Sequence, residues 1–220
     1  MTHTPAHTRM SAADLEALPS RSRAHLVNLC SGIKGLHLLG SRSKSGQDNL
    51  APFNSVLHIG ASPAALGVLF RPITVRRDSY RNIQETGYFT LNLVSRPMLD
   101  AAHHASAKWA ADESEFSATG LTPLDNGFPA PHVAESPLSI GLRLVEEQHI
   151  RFNDTRLLIG AVEEVLLPVD SLPEGGWMRL DEHDILSVAG LDSYYQGRLV
   201  ARKAYAQTDA APPDLVRDRD

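Results

Sequence analysis

The sequence predicts a mainly β fold, a barrel or sandwich carrying a few short helices, and three observations lead there. Phe89, Leu91 and Leu93 alternate with Thr90, Asn92 and Val94, and Ile140, Leu142 and Leu144 alternate with Gly141, Arg143 and Val145. A period of two is the mark of a half-buried strand. Residues 156–169 (RLLIGAVEEVLLPV) are too apolar on both sides for a surface helix. Glycines and prolines punctuate the chain at intervals of about 8–15 residues, the spacing of many short strands.

In chain order, residues 14–18 and 23–32 have helical composition. Residues 53–59 (FNSVLHI) and 66–70 (LGVLF) read as strands, bounded by Pro52, Gly60, Pro63 and Pro72. Asp78 is a good N-cap type and Gly87 a good residue just past a helix end, so a short helix is expected over 79–86. After the 89–94 strand, Pro97 opens a second helix through MLDAAHHASAKW. The 140–145 and 156–169 strands follow, the latter closed by Pro168. Residues 1–20 are expected to be a flexible segment, 21–206 a single domain, and 207–220, with four Asp and two Pro, a disordered tail. No internal repeat is visible.

The 220 residues carry 21 basic and 26 acidic side chains, a net charge of −5 that argues against a nucleic-acid partner. No apolar run nears the roughly 18 residues of a membrane span, and no basic-then-apolar leader opens the chain, so no membrane association is expected. Cys30 is the lone cysteine; no intrachain disulfide can form, and a reducing, cytoplasmic location is expected.

Nucleotide-fold fingerprints are absent, with no GxGxxG and no GxxxxGK[ST], and no GxSxG nucleophile elbow appears. Ser31 and Lys34 have SxxK spacing without the partner motifs that chemistry needs. Ten histidines are scattered, with no HExxH and no Cys-His cluster, and adjacent His103 and His104 point about 100° apart on a helix. No metal site is expected.

Two segments remain. In residues 49–60 (NLAPFNSVLHIG) small and amide side chains, Ala51, Asn54 and Ser55, interrupt an apolar strand. Such a strand lets a flat heterocycle approach the backbone; on composition alone, an irregular edge strand with no binding role is the simpler reading. In residues 70–82 (FRPITVRRDSYRN), Arg71, Arg76 and Arg77 precede a helix start, where unpaired N–H groups and guanidinium forks suit a phosphate. A solvated basic loop, with Asp78 satisfying those N–H groups, is the other reading.

In this order the two segments resemble the FMN-binding split-barrel family of flavin reductase-like proteins. NLAPFNSVLHIGASP, RP and RRDSYRNIQETGYFTLNLV resemble its cofactor strand, phosphate loop and following strand; AHHASAKW, SEFSATGLTP, VAESPLSIGLRLVE and GLDSYY extend the likeness over residues 49–205. The resemblance implies a Greek-key β-barrel of about six strands, split on one side, binding FMN noncovalently as a homodimer with the flavin near the subunit interface. Ala51, Pro52, Phe53, Asn54 and Ser55 would line the isoalloxazine, largely through backbone groups, and Arg71, Arg77 and Ser79 would contact the phosphate. Ser62-Pro63-Ala64 departs from the commoner NPP, and Arg77-Asp78-Ser79 stands where many relatives have Lys-Asp-Thr, keeping the charge and the hydroxyl.

The family picture implies an NAD(P)H-dependent flavin reductase in which NADH or NADPH stacks on the flavin and passes hydride from its C4 to flavin N5. That transfer requires no side-chain base, so no catalytic acid or base is named. The alternatives are an FMN-using oxygenase or reductase of a small organic substrate, and a noncatalytic FMN-binding or storage protein. His58 either touches the ring or faces water; Tyr194 and Tyr195 either pack or close over the flavin.

Overall fold

The computed structural model describes residues 7–110, 113–169, 171 and 175–217. Helices α1 (Ala12–Ala17) and α2 (Ser20–Leu29) precede the short β1 (Lys34–Gly35) and then β2 (His37–Arg42), β3 (Asp48–Phe53), β4 (Val56–Ala61) and β5 (Ala64–Phe70). Helix α3 (Asp78–Thr86) leads into β6 (Tyr88–Leu93). After α4 (Leu99–His104) and α5 (Glu115–Thr119) come the two-residue strands β7 (Pro123–Leu124) and β8 (His132–Val133). A long hairpin, β9 (Ser139–Ile150) and β10 (Thr155–Leu166), is followed by β11 (Leu186–Ala189), β12 (Ser193–Gln196), β13 (Ala201–Lys203) and β14 (Asp214–Arg217).

Seven antiparallel strands form the main sheet in the order β3-β2-β6-β9-β10-β5-β4, one more than the resemblance implies. Its two edge strands, β3 and β4, are consecutive in the chain and joined by Asn54 and Ser55 alone. A sheet whose first and last strands share a two-residue link must curl until they meet, so the result is a barrel split along the β3–β4 seam. The seam is held on one side by the Leu69 N–H, which donates to the Ser55 carbonyl at 3.0 Å.

Curling separates two apolar regions. Leu39, Val68, Phe70, Ile83, Phe89, Leu91, Leu142 and Leu158 pack together in one; Leu38, Leu50, Val94, Met98, Phe116, Val133 and Val188 pack in the other. Leu38 and Leu39 are both fully buried, so β2 has apolar cover on both faces. Gly40 opens the way for the 131 region: a Cβ there would lie 2.2 Å from the Pro131 carbonyl oxygen, which accepts from the Thr90 hydroxyl at 2.7 Å.

Helix α3 matches its sequence signals closely. Ser79, Asn82 and Ile83 point inward at helical spacing, and Gly87 ends the helix at φ +80°, its N–H donating to the Ile83 carbonyl at 2.8 Å. The start differs by one residue. Arg77 takes the extended N-cap position, and Asp78 is the first helical residue, its carboxylate turned to Arg76 at 2.8 Å and Arg81 at 3.3 Å.

Other expectations need correction. The single strand over 53–59 is two strands, because Phe53 pairs with His37 at one edge of the sheet whereas Val56 pairs with Val68 at the other. The helix after Pro97 is a 3-10 turn, Arg96–Met98, and one short helix that stops at His104. Strand β2 is absent from the sequence reading. Near the start, Ser11 caps α1 in a reciprocal box with Asp14. Near the end, Ala201 to Lys203 pair with Asp214 to Arg217, so part of the expected tail is a two-stranded ribbon.

Candidate functional site

Strand β3 has a free edge, since it pairs with β2 alone. The Leu50 N–H faces outward and donates to Glu115 Oε2 at 2.9 Å. Alternation then turns the Pro52 nitrogen outward too, where a missing N–H removes no ladder bond. The same alternation commits the backbone groups of Ala51 and Phe53 to the ladder with β2, leaving Pro52 and Asn54 on the open edge. Ala51, Pro52, Phe53, Asn54 and Ser55 are all half-buried. The Ser55 hydroxyl donates to Asn54 Oδ1 at 3.3 Å, and the Asn54 amide reaches the Gly190 carbonyl at 3.5 Å. Burial raises the pKa of Glu115, opposed by the N–H it accepts.

The loop between β5 and α3 adjoins this strand in two ways. Phe70 lies 4.9 Å from Phe53 and 5.7 Å from Tyr80, ring centre to ring centre. The Asn49 amide donates to the buried Ser79 hydroxyl oxygen at 2.9 Å. Arg71 and Arg77 are close enough that Arg77 is held below its ordinary pKa, first by burial and then by the Arg71 charge. Among the described residues neither has a carboxylate partner; Arg77 donates to the Pro72 carbonyl at 3.3 Å. No side chain caps the N-terminal N–H groups of α3. The fold therefore gathers Arg71, Arg77 and Ser79 beside the strand that bears Ala51 to Ser55: two adjacent cations and an uncapped helix start, the makings of an anion site.

Asn49, Asn82 and Glu115 are missing from the sequence-based candidates. Asn82 is 2% exposed, donates to the Ser41 hydroxyl at 3.2 Å, and has no partner for its Oδ1. Together with Asp48, Asp78, Trp109 and Glu113, these three line a small polar cleft behind the strand. Asn49 opens the first segment singled out in the sequence, Asn82 closes the second and Glu115 lies in the SEFSATGLTP stretch, but nothing local marked which residues they would meet.

The remaining candidates disperse. His58 is exposed on the outer strand β4, between Leu57 and Ile59, which are also exposed. Tyr194 Oη lies 2.6 Å from His103 Nδ1; burial raises its pKa, with Asp192 adding to the shift. Tyr195 is exposed. His104 meets Trp109 edge-on at 4.9 Å, whereas His103 meets Tyr194. The Ser31 hydroxyl donates to the Asn28 carbonyl and Lys34 Nζ to Asn28 Oδ1, so the SxxK pair turns to helix α2 instead of to each other. Among the described residues no group of three or more His, Cys, Asp or Glu is placed to hold a metal, and no helix is long and apolar enough to cross a membrane.

Known proteins share this fold. A split-barrel protein of Shewanella frigidimarina, assigned as a flavin reductase, is 39% identical and superposes with a TM-score of 0.87 over 91% of this chain and all of its own. Nitrilotriacetate monooxygenase component B from Bacillus cereus, at 20% identity, shares the fold with a TM-score of 0.77 over 89% of this chain and 98% of its own. An uncharacterised protein of Deinococcus radiodurans is 28% identical over 206 residues, 89% of this chain and 85% of that one. The family model for the flavin reductase-like domain matches residues 33–183. With that match over most of its length and the split barrel in common, the chain belongs to the flavin reductase-like domain family.

Proposed function

We propose that the chain is an FMN-dependent oxidoreductase of the NAD(P)H:flavin reductase type, acting as a cytoplasmic homodimer. The observation that carries this reading is the Arg71–Arg77 pair. Two guanidinium groups brought together without a carboxylate repel one another, and a bound phosphate turns that repulsion into bidentate attraction. Ser79 and the α3 N–H groups would complete the phosphate contacts, and residues 51–55 would lie along the ring. The fit extends to Asn54, whose side chain stands at the seam where a ring edge needs hydrogen-bonding partners.

Bound FMN supplies a two-electron acceptor able to take hydride from a reduced nicotinamide. The chain contributes placement: β3, braced by Glu115, fixes the ring's bed, and the arginine loop fixes the tail. Hydride transfer calls on no side-chain proton, which agrees with residues 51–55, none of which carries a titratable side chain. The exposed apolar Leu57 and Ile59 on strand β4 suit a subunit contact.

The test is the absorption spectrum of the isolated protein together with NADH and NADPH oxidation, with and without added flavin. A flavin spectrum and nucleotide oxidation above the free-FMN background are expected. A flavin spectrum without oxidation supports a storage protein instead, and oxidation that needs an organic acceptor supports the substrate-reducing alternative.

A further inference from the structure

We infer that Asn49 makes the proposed flavin site select a phosphorylated flavin over riboflavin, by fixing the direction in which the Ser79 hydroxyl donates. The inference rests on the phosphate-loop reading above. An amide nitrogen is a donor only, so at 2.9 Å from Ser79 Oγ it fills a lone pair of that oxygen and leaves the hydroxyl hydrogen to be donated elsewhere.

Ser79 has few places to send it. The residue is 6% exposed, so bulk water is largely shut out. Two threonines deeper in their helices bond back to their own helix: Thr86 donates to the Asn82 carbonyl at 2.8 Å and Thr119 to the Glu115 carbonyl at 2.7 Å. Ser79 is the second residue of α3, and the carbonyl four positions back belongs to the loop. The hydrogen is left at the uncapped helix start, beside Arg77, where the phosphate is expected.

Asn49 is well placed to hold that direction. Its neighbour Leu50 is anchored by Glu115 at 2.9 Å. Its cross-strand partner Ser41, fully buried, accepts from Asn82 of the same helix at 3.2 Å. Two amide–hydroxyl links, Asn49 to Ser79 and Asn82 to Ser41, thus lock the β2–β3 hairpin against α3. A pre-aimed buried donor rewards an anionic oxygen and gains nothing from a flavin that lacks one. Asn49 is a positioning residue: it acts through Ser79.

The readout is the ratio of FMN to riboflavin dissociation constants, measured by quenching of flavin fluorescence on titration into the full chain stripped of flavin. Ser79→Ala is expected to weaken FMN about 10-fold or more, and Asn49→Leu about 5- to 20-fold, with riboflavin changed less than about twofold in both. In the double variant the Asn49 effect should vanish, leaving FMN affinity within about twofold of Ser79→Ala alone. Asn49→Asp keeps the shape and offers only acceptors, so it should capture the hydroxyl hydrogen and lose FMN at least as strongly; it also replaces Asn49→Leu should that variant not fold. Equal losses for both flavins, retained FMN preference in the Asn49 variants, or additive losses in the double variant would overturn the inference. A native chain that binds riboflavin as tightly as FMN would overturn the phosphate loop itself, a result visible before any variant is made.

Discussion

The Glu115 carboxylate accepts the Leu50 backbone N–H at 2.9 Å, joining helix α5 to the free edge of β3 across 65 residues of sequence. An edge strand offers unpaired N–H groups, and one buried beneath a helix without a partner is costly. Glu115 resolves that cost on the strand proposed to bed the flavin ring. Replacing it with Ala should lower stability by about 1–3 kcal/mol, seen as a lower urea midpoint with an unchanged slope.

Phe70 is 2% exposed and lies between Phe53 and Tyr80. It is the apolar joint between the β3 edge and the arginine-bearing loop. Phe70→Ala should cost about 3–5 kcal/mol, with Phe70→Leu markedly milder. Thermal or urea unfolding of the two variants checks the order, and a Leu variant as damaging as Ala would count against this joint.

In the loop proposed to hold the phosphate, neighbouring arginines should behave differently. Arg76 is paired with Asp78 at 2.8 Å, whereas Arg77 has no carboxylate partner among the described residues. Arg77→Ala is expected to weaken FMN binding by about 1.5–3 kcal/mol, and Arg76→Ala by far less. Fluorescence titration at two salt concentrations distinguishes them, since loss of Arg77 should also flatten the salt dependence.

Stability should fall in mild acid. Burial pushes His37 down to about 4, and its Nδ1 has no partner; burial likewise lowers His132, opposed by Glu164 at 2.8 Å. A histidine whose folded pKa lies below the ordinary value near 6.5 is protonated more readily unfolded, so its contribution is complete above about 6.5 and lost on descending towards 4. From His37 the loss should be on the order of 2–3 kcal/mol. Urea midpoints between pH 7 and 4.5 would show it, and His37→Gln should flatten that slope.

Local chemistry made part of this legible in advance. Gly87 announces the end of α3, and the alternation from Phe89 to Leu93 announces β6, because apolar and polar side chains take turns along it even though both of its faces are buried, polar Thr90 and Asn92 included. Strand β2 escapes the same reading: with Leu38 and Leu39 buried on opposite faces and Ser41 buried as well, it shows no alternation. The break at Asn54 and Ser55 is hidden because a change of pairing partner alters no residue type. The Arg71, Arg77 and Ser79 cluster could be named from composition and resemblance, but the Asn49–Ser79 and Leu50–Glu115 bonds span 30 and 65 residues and needed the fold.

Because Asn54 and Ser55 alone connect the two rims of the opening, they set its gape as a hinge pin sets the swing of a gate. Changing either side chain alters what lines the gap, while adding even one residue would let the rims drift apart. Exchange at these two positions accordingly changes the lining of the gap, whereas lengthening the connection there would widen it.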